Sequence, residues 1–167
     1  MRAIRLARAY TGRNVIGRFH GGWHGGLDGF LEEHPDGKGV PSETNSLFKV
    51  LPYNDEECFS QITSDMAAVI IEPVQGSNPR SDIKDFVQRL RNHCDNTGVL
   101  LIFDEVMTGF RLSAKGGSGI FDIIPDIATY GKVLGGGFPI GAVGGKAKIL
   151  QTQNVFYGGT FSANPLS

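Results

Sequence analysis

The sequence predicts an α/β fold, a mainly parallel sheet flanked by helices, and three observations carry that expectation. Met66–Ile71 is an unbroken apolar run, suited to a strand covered on both faces. Ile83, Phe86, Val87, Leu90 and Cys94 recur at the spacing of one helical face, and Gly98 follows as a helix stop. Residues 99–103 form a second apolar run. Strand, amphipathic helix and strand make a βαβ unit, whose strands are parallel and whose crossover is nearly always right-handed.

The remaining elements follow in order. Residues 2–10 read as a helix stopped at Gly12, and Val15–Phe19 as a short strand entering a glycine cluster. The segment 32–46 is polar, holds Pro and Gly, and reads as a surface loop. Asn54 or Asp55 caps a short helix through Ile62, and Ser81 or Asp82 caps the long helix, whose exposed side then carries His93. Ile127–Tyr130 is a third short strand and residues 142–143 belong to a fourth. There is no internal repeat and no low-complexity segment.

Composition narrows the function classes. Of 167 residues 24 are glycine, about twice the roughly 7% average usage. They cluster in 17–29 and 131–145 without a triplet period, which excludes collagen and points to backbone that turns sharply or approaches a ligand. With 40% hydrophobic and 20% charged residues the chain builds one globular domain. No apolar run approaches the ~18 residues a spanning helix needs, and arginines interrupt the first residues, so neither a membrane partner nor a secretory signal is expected. A net charge of −1 weighs against nucleic acid as a partner. Cys58 and Cys94 form no C-x-x-C pair and read as free thiols of a cytoplasmic protein, Cys94 in the core.

In open parallel sheets, ligands bind beyond the carboxyl ends of the strands. That edge receives Glu72 and Pro73 after the first long strand, Asp104 and Glu105 after the second, and Lys132 just after the third. Alone, Asp104 is as well explained as a helix cap or an ion-pair partner, and Lys132 as a solvated lysine. The setting Gly131-Lys132-Val133-Leu134-Gly135-Gly136-Gly137 is less ordinary, because glycine lets backbone crowd a ligand. Nucleotide motifs fail: Val133 follows Lys132 where a P-loop needs Ser or Thr, and Gly117-Ser118-Gly119 lacks the third glycine of a dinucleotide fingerprint. His20 and His24 are four apart, but the glycines around them disfavour a helix, so no metal site is expected. No G-x-S-x-G elbow supports a serine hydrolase.

Several segments together form a specific pattern: Ile70-Ile71-Glu72-Pro73-Val74, Phe103-Asp104-Glu105-Val106-Met107-Thr108-Gly109-Phe110-Arg111, Pro125-Asp126-Ile127-Ala128-Thr129-Tyr130-Gly131-Lys132, Gly135-Gly136-Gly137-Phe138-Pro139-Ile140-Gly141-Ala142 and Gly159-Thr160-Phe161-Ser162-Ala163-Asn164-Pro165. End to end, the chain resembles class III aminotransferases, and it looks most like their glutamate-1-semialdehyde 2,1-aminomutase branch. The resemblance implies the large domain of the type I aminotransferase fold, pyridoxal 5'-phosphate as cofactor, a small amino, keto or semialdehyde substrate, and a homodimer in the full-length enzyme. It implies that Lys132 carries the cofactor, Asp104 pairs with its pyridine nitrogen, Val106 packs on one ring face, and Trp23, before His24, stacks on the other. Thr160 matches a threonine that reaches the cofactor phosphate of the neighbouring subunit.

The pattern also departs from the aminomutase. After Glu72-Pro73-Val74 the aminomutase has Val-Gly-Asn, whereas here Gln75-Gly76-Ser77 follows, so Ser77 takes the place of an asparagine near the ring. Gln75 and the run 126–130 are also similar to transaminases of polyketide and nonribosomal peptide pathways. Family members are far longer, so the chain is expected to be an incomplete large domain. The phosphate-binding Ser-Gly-Thr-Glu-Ala segment would precede Met1, and the small domain would follow Ser167. A non-catalytic truncated remnant is the alternative of a different class.

Overall fold

The computed structural model describes residues 1–31, 37–156 and 158. In chain order these form α1 (Arg2–Thr11), β1 (Val15–Phe19), α2 (Ser42–Asn45), β2 (Phe48–Leu51), α3 (Glu57–Gln61) and β3 (Met66–Ile71). Then come α4 (Lys84–Thr97), β4 (Leu100–Asp104), α5 (Gly116–Phe121), β5 (Ile127–Tyr130), β6 (Ala142–Gly145) and α6 (Ala147–Leu150). Short 3-10 turns lie at Asp28–Phe30 and Lys132–Gly135.

The strands make one sheet in the order β2-β1-β3-β4-β5-β6. Every neighbouring pair from β2 to β5 is parallel, and β6 alone runs antiparallel, against β5. The connection 131–141 is shorter than a helical crossover requires, so β6 returns beside β5 instead of crossing over. β3 and β4 alternate strictly between two apolar layers. Ala68, Ile70, Leu100 and Ile102 pack with Ile4, Leu6 and Ala7 of α1. Val69, Ile71, Leu101 and Phe103 pack with Phe86, Val87, Leu90 and Cys94 of α4. Burial on both faces is why these strands read as continuous apolar runs rather than alternating ones. The α1 and α4 helices end as expected, with Gly12 at φ 69° and Gly98 at φ 67°, conformations that favour glycine. Both cysteines are free and buried, and burial pushes their thiols up to about 12.

Three expectations need correction, and two elements were not foreseen. The α4 helix starts after Ile83 without a side-chain cap, because Asp82 pairs with Arg80 instead. His93 is tucked against α3 rather than left in solvent: its Nε2 donates to the Ile62 carbonyl at 2.9 Å and its ring lies 5.5 Å from that of Phe59. Residues 42–45 of the polar loop form a helical turn, while 32–36 lie outside the described residues. The β2 strand and α5 helix were not anticipated. β2 is an edge strand of four residues with an exposed Lys49, too short for a clear period, and α5 contains three glycines, which helix propensity disfavours.

An ion network fastens the amino ends of β4 and β5. Asp126 is buried and accepts from Arg91 Nη1 at 2.8 Å, Lys146 Nζ at 2.6 Å and the Leu101 N–H at 2.8 Å. Arg91 also bonds Asp95 one turn along α4. Burial alone would raise the Asp126 carboxyl, but Lys146, the Leu101 N–H and Arg91 outweigh it and hold it below the usual carboxylate range. Its contribution to stability is therefore complete above the unfolded carboxylate pKa, about 3.9, and fades as pH falls through the lower folded-state value. Asp126→Asn is expected to cost about 3 kcal/mol at neutral pH, mostly because the buried Arg91 loses its buried counter-charge and keeps only the exposed Asp95. Urea unfolding at pH 7 and near pH 3 should show the difference from wild type shrinking toward acid; a pH-independent difference would show that charge is not what Asp126 contributes.

Candidate active site

The chain leaves β1 toward β2 on one side and returns past it to β3 on the other, so the strand order reverses between β1 and β3. Crevices of this kind, at the carboxyl edge of a parallel sheet, receive ligands. The loops that follow β1, β3, β4 and β5 all open onto this edge, and the chemistry-bearing residues named from the sequence lie on them.

Asp104, the last residue of β4, is buried and is the hub of the edge. Its Oδ2 lies 2.8 Å from His24 Nδ1. Its Oδ1 accepts from the Thr129 hydroxyl at 3.0 Å and the Val106 N–H at 3.2 Å. Thr129 is the register partner of Asp104 across the β4–β5 ladder, which is why its hydroxyl reaches. Burial pushes the Asp104 carboxyl up, yet the hydrogen bond and charge of His24, then Val106 N–H and Thr129, outweigh it, and the group lies below the ordinary carboxylate range. An ionised carboxylate only accepts, so His24 donates from Nδ1. The imidazole is almost fully enclosed, 5.1 Å from the Phe30 ring, and its Nε2 is buried without a hydrogen-bond partner among the described residues.

Glu72 follows β3 and is also buried, with Oε2 accepting the Trp23 N–H at 3.0 Å. Burial leads in raising its carboxyl, the bonds from the Trp23 and Gly76 N–H groups and the charge of His24 oppose this, and the charge of Asp104 adds to it. Two acids on neighbouring strands thus hold two consecutive residues, one by backbone and one by side chain. Glu105 has a different task. Fully buried, it accepts from the Thr108 hydroxyl and from the N–H groups of Gly117 at 3.0 Å and Ser118 at 3.1 Å, so it secures the start of α5. A Cβ at Gly117 would lie 2.4 Å from Pro73, so glycine is required for this close approach.

Lys132 opens the turn after β5 at φ 45°, a left-handed conformation uncommon for a residue with a side chain. It is exposed, and among the described residues its ammonium makes no hydrogen bond or ion pair. Strain of this kind, at about 1 kcal/mol or more, persists where the surroundings impose it, and it gathers at functional sites. Val106 is half-buried beside the preceding residue: a Cβ on Gly131 would lie 3.4 Å from Val106 Cγ1. Trp23 is 53% exposed, with a broad apolar face open at the edge. Ser77 is exposed and donates its hydroxyl to the Gly21 carbonyl at 2.8 Å. Thr160 lies outside the described residues. The amino end of α1 points to the same edge.

The structure therefore joins His24 to Asp104, sets Val106 beside Gly131, and gathers Trp23 and Ser77 onto the loops at the β1–β3 crevice. Sequence reasoning did not identify Thr129 or the backbone-holding role of Glu72. Thr129 was within sight, one position from a strand end and in register with Asp104; the Glu72 bond joins residues 49 apart and leaves no local signal.

The α/β fold is one shared with solved transaminases. The structure superposes on an omega-transaminase from Sphaerobacter thermophilus with a TM-score of 0.86 and 36% identity, covering 98% of this chain and 43% of that one. It superposes equally well, at a TM-score of 0.85 and 31% identity, on a solved transaminase with PLP bound, covering 98% of this chain and 43% of that one. The chain belongs to the aminotransferase class-III family, whose model matches residues 1–167. Among curated relatives, glutamate-1-semialdehyde 2,1-aminomutase of Clostridium botulinum is 44% identical over 99% of this chain. The chain spans about 43% of the length of that relative.

If His24 is what keeps Asp104 ionised, His24→Ala should leave burial opposed only by the Val106 N–H and the Thr129 hydroxyl and move the Asp104 titration upward. Carbon-13 NMR of the aspartate carboxyls across a pH series would report it. An unmoved titration would assign the lowered value to Thr129 and the Val106 N–H instead.

Proposed function

We propose that this chain forms the pyridoxal-phosphate site of an amino-group-transfer enzyme, most like glutamate-1-semialdehyde 2,1-aminomutase, which isomerises glutamate-1-semialdehyde to 5-aminolevulinate. The observation that carries this reading is the buried Asp104, kept ionised by three donors at the carboxyl edge, on the strand next to the one that leads into Lys132, which stands at φ 45° and is unpaired among the described residues. The family uses pyridoxal phosphate, and the residues present fit it: an ionised acid for a ring nitrogen, an amine for its carbonyl carbon, and apolar surface for a flat ring.

When bound, the cofactor supplies an electron sink for the pair left on a substrate carbon as a proton departs. Asp104 would pair with the ring nitrogen, and its ionised carboxylate favours the protonated form that deepens the sink. Lys132 would hold the cofactor through its Nζ, and the same amine would accept and return the proton at the reacting carbon. Val106 and Trp23 would flank the ring and fix its plane, which keeps the breaking bond aligned. In a homodimer Thr160 would serve the partner's cofactor phosphate.

A second reading, a class III transaminase that joins a separate amino donor and acceptor, is favoured by one feature: Ser77 stands where the aminomutase has an asparagine, and its hydroxyl is engaged by Gly21. A donor and acceptor screen on the full-length protein separates the two, since the mutase needs no external amine. For either reading, Lys132→Ala is expected to abolish the visible absorbance band of lysine-bound pyridoxal phosphate and to lower turnover by several orders of magnitude. A variant that keeps both would remove Lys132 from the chemistry.

A further inference from the structure

The two loops that meet at the β1–β3 crevice are joined by three hydrogen bonds of one kind, each running between a side chain of one loop and the backbone of the other. Glu72 Oε2 accepts the Trp23 N–H at 3.0 Å, Gln75 Nε2 donates to the His20 carbonyl at 2.9 Å, and Ser77 Oγ donates to the Gly21 carbonyl at 2.8 Å. Glu72 and Gln75 are almost fully buried, at 4% and 2% exposure, so these are fixed contacts and not surface accidents. Gly21 stands at φ 75°, and a Cβ there would lie 3.3 Å from Gln75 Oε1, so the two chains also meet closely. The loop so held carries Trp23 and His24, and through His24 it carries one of the three donors on Asp104.

From this geometry we infer that Glu72, Gln75 and Ser77 are positioning residues. They form a template that sets the backbone of 20–23, so that His24 meets Asp104 and the Trp23 ring faces the crevice. They act through backbone, and at Ser77 a hydroxyl is enough to hold the Gly21 carbonyl. The effect on cofactor binding rests on the function proposed above; the effect on His24 does not.

The test uses the full-length protein in both apo and pyridoxal-phosphate-bound forms. An imidazole N–H bonded to a buried carboxylate gives a strongly downfield proton resonance, and loss of that signal in His24→Gln assigns it. Gln75→Leu, Glu72→Leu and Ser77→Ala should shift or broaden the resonance in the apo protein and weaken pyridoxal-phosphate binding, by about tenfold for the two buried positions and less for Ser77. Glu72→Gln and Ser77→Thr, which keep an acceptor or a hydroxyl, should restore both. If Gln75→Leu or Glu72→Leu fails to fold, exposed Ser77→Ala decides, because little packing depends on it. An unchanged resonance and cofactor affinity in Ser77→Ala and Gln75→Leu would overturn the inference. Should wild type bind no cofactor, the proposed function falls while the resonance still decides the positioning role.

Discussion

The structure turns on keeping one carboxylate charged in a place that opposes charge. Burial disfavours ionised Asp104, and an isolated carboxylate there would take up a proton rather than stay desolvated. Three donors prevent this, and each comes from a different part of the fold: a histidine from the loop after β1, a hydroxyl from β5 and a backbone N–H from the turn after β4. Sheet register supplies Thr129, chain direction supplies the Val106 N–H, and the β1–β3 crevice supplies His24. Removing the parallel arrangement would remove the His24 and Thr129 donors together and leave only the local Val106 N–H.

The opposite end of the sheet is organised by the same physics for another purpose. Asp126 is also buried and ionised, but its partners are the fixed cations Arg91 and Lys146 together with the Leu101 N–H. That set leaves the carboxylate fully engaged, as suits a fastening. At the carboxyl edge the arrangement is more open: His24 retains a nitrogen without a partner, and Lys132 lies exposed without an ion pair among the described residues. The amino end holds the strands in place so that the carboxyl end can be reactive.

Much of this was legible in the sequence, for identifiable reasons. β3, α4 and β4 declared themselves because burial on both faces, or along one stripe, imposes a period on composition. α5 was hidden because its glycines answer to Glu105 and Pro73, which are distant in sequence, and not to helix propensity. Asp104 and Lys132 stood out as an acid and a lysine after strands, with the family resemblance assigning their roles. The His24–Asp104 bond was not legible, since it spans 80 residues and depends on strand order rather than on any spacing. Likewise Glu105, an equal candidate beside Asp104 on sequence, is committed to the start of α5, a distinction only packing can make.

The reversal of strand order between β1 and β3 also bears on how the molecule comes together. β1 and β2 are consecutive in the chain, whereas the segment carrying Trp23 and His24 is held by residues 72–77, about fifty positions further on. Asp104 lies further still. Contacts of such long sequence separation form slowly, because the entropy of closing the loop is lost before the contact returns anything. The reactive edge rests on contacts 49 to 80 residues apart and so carries a large closure cost. A partly folded chain would present paired strands but no assembled acid–histidine pair, so a ligand that needs that pair would select for the completed molecule and not for its intermediates.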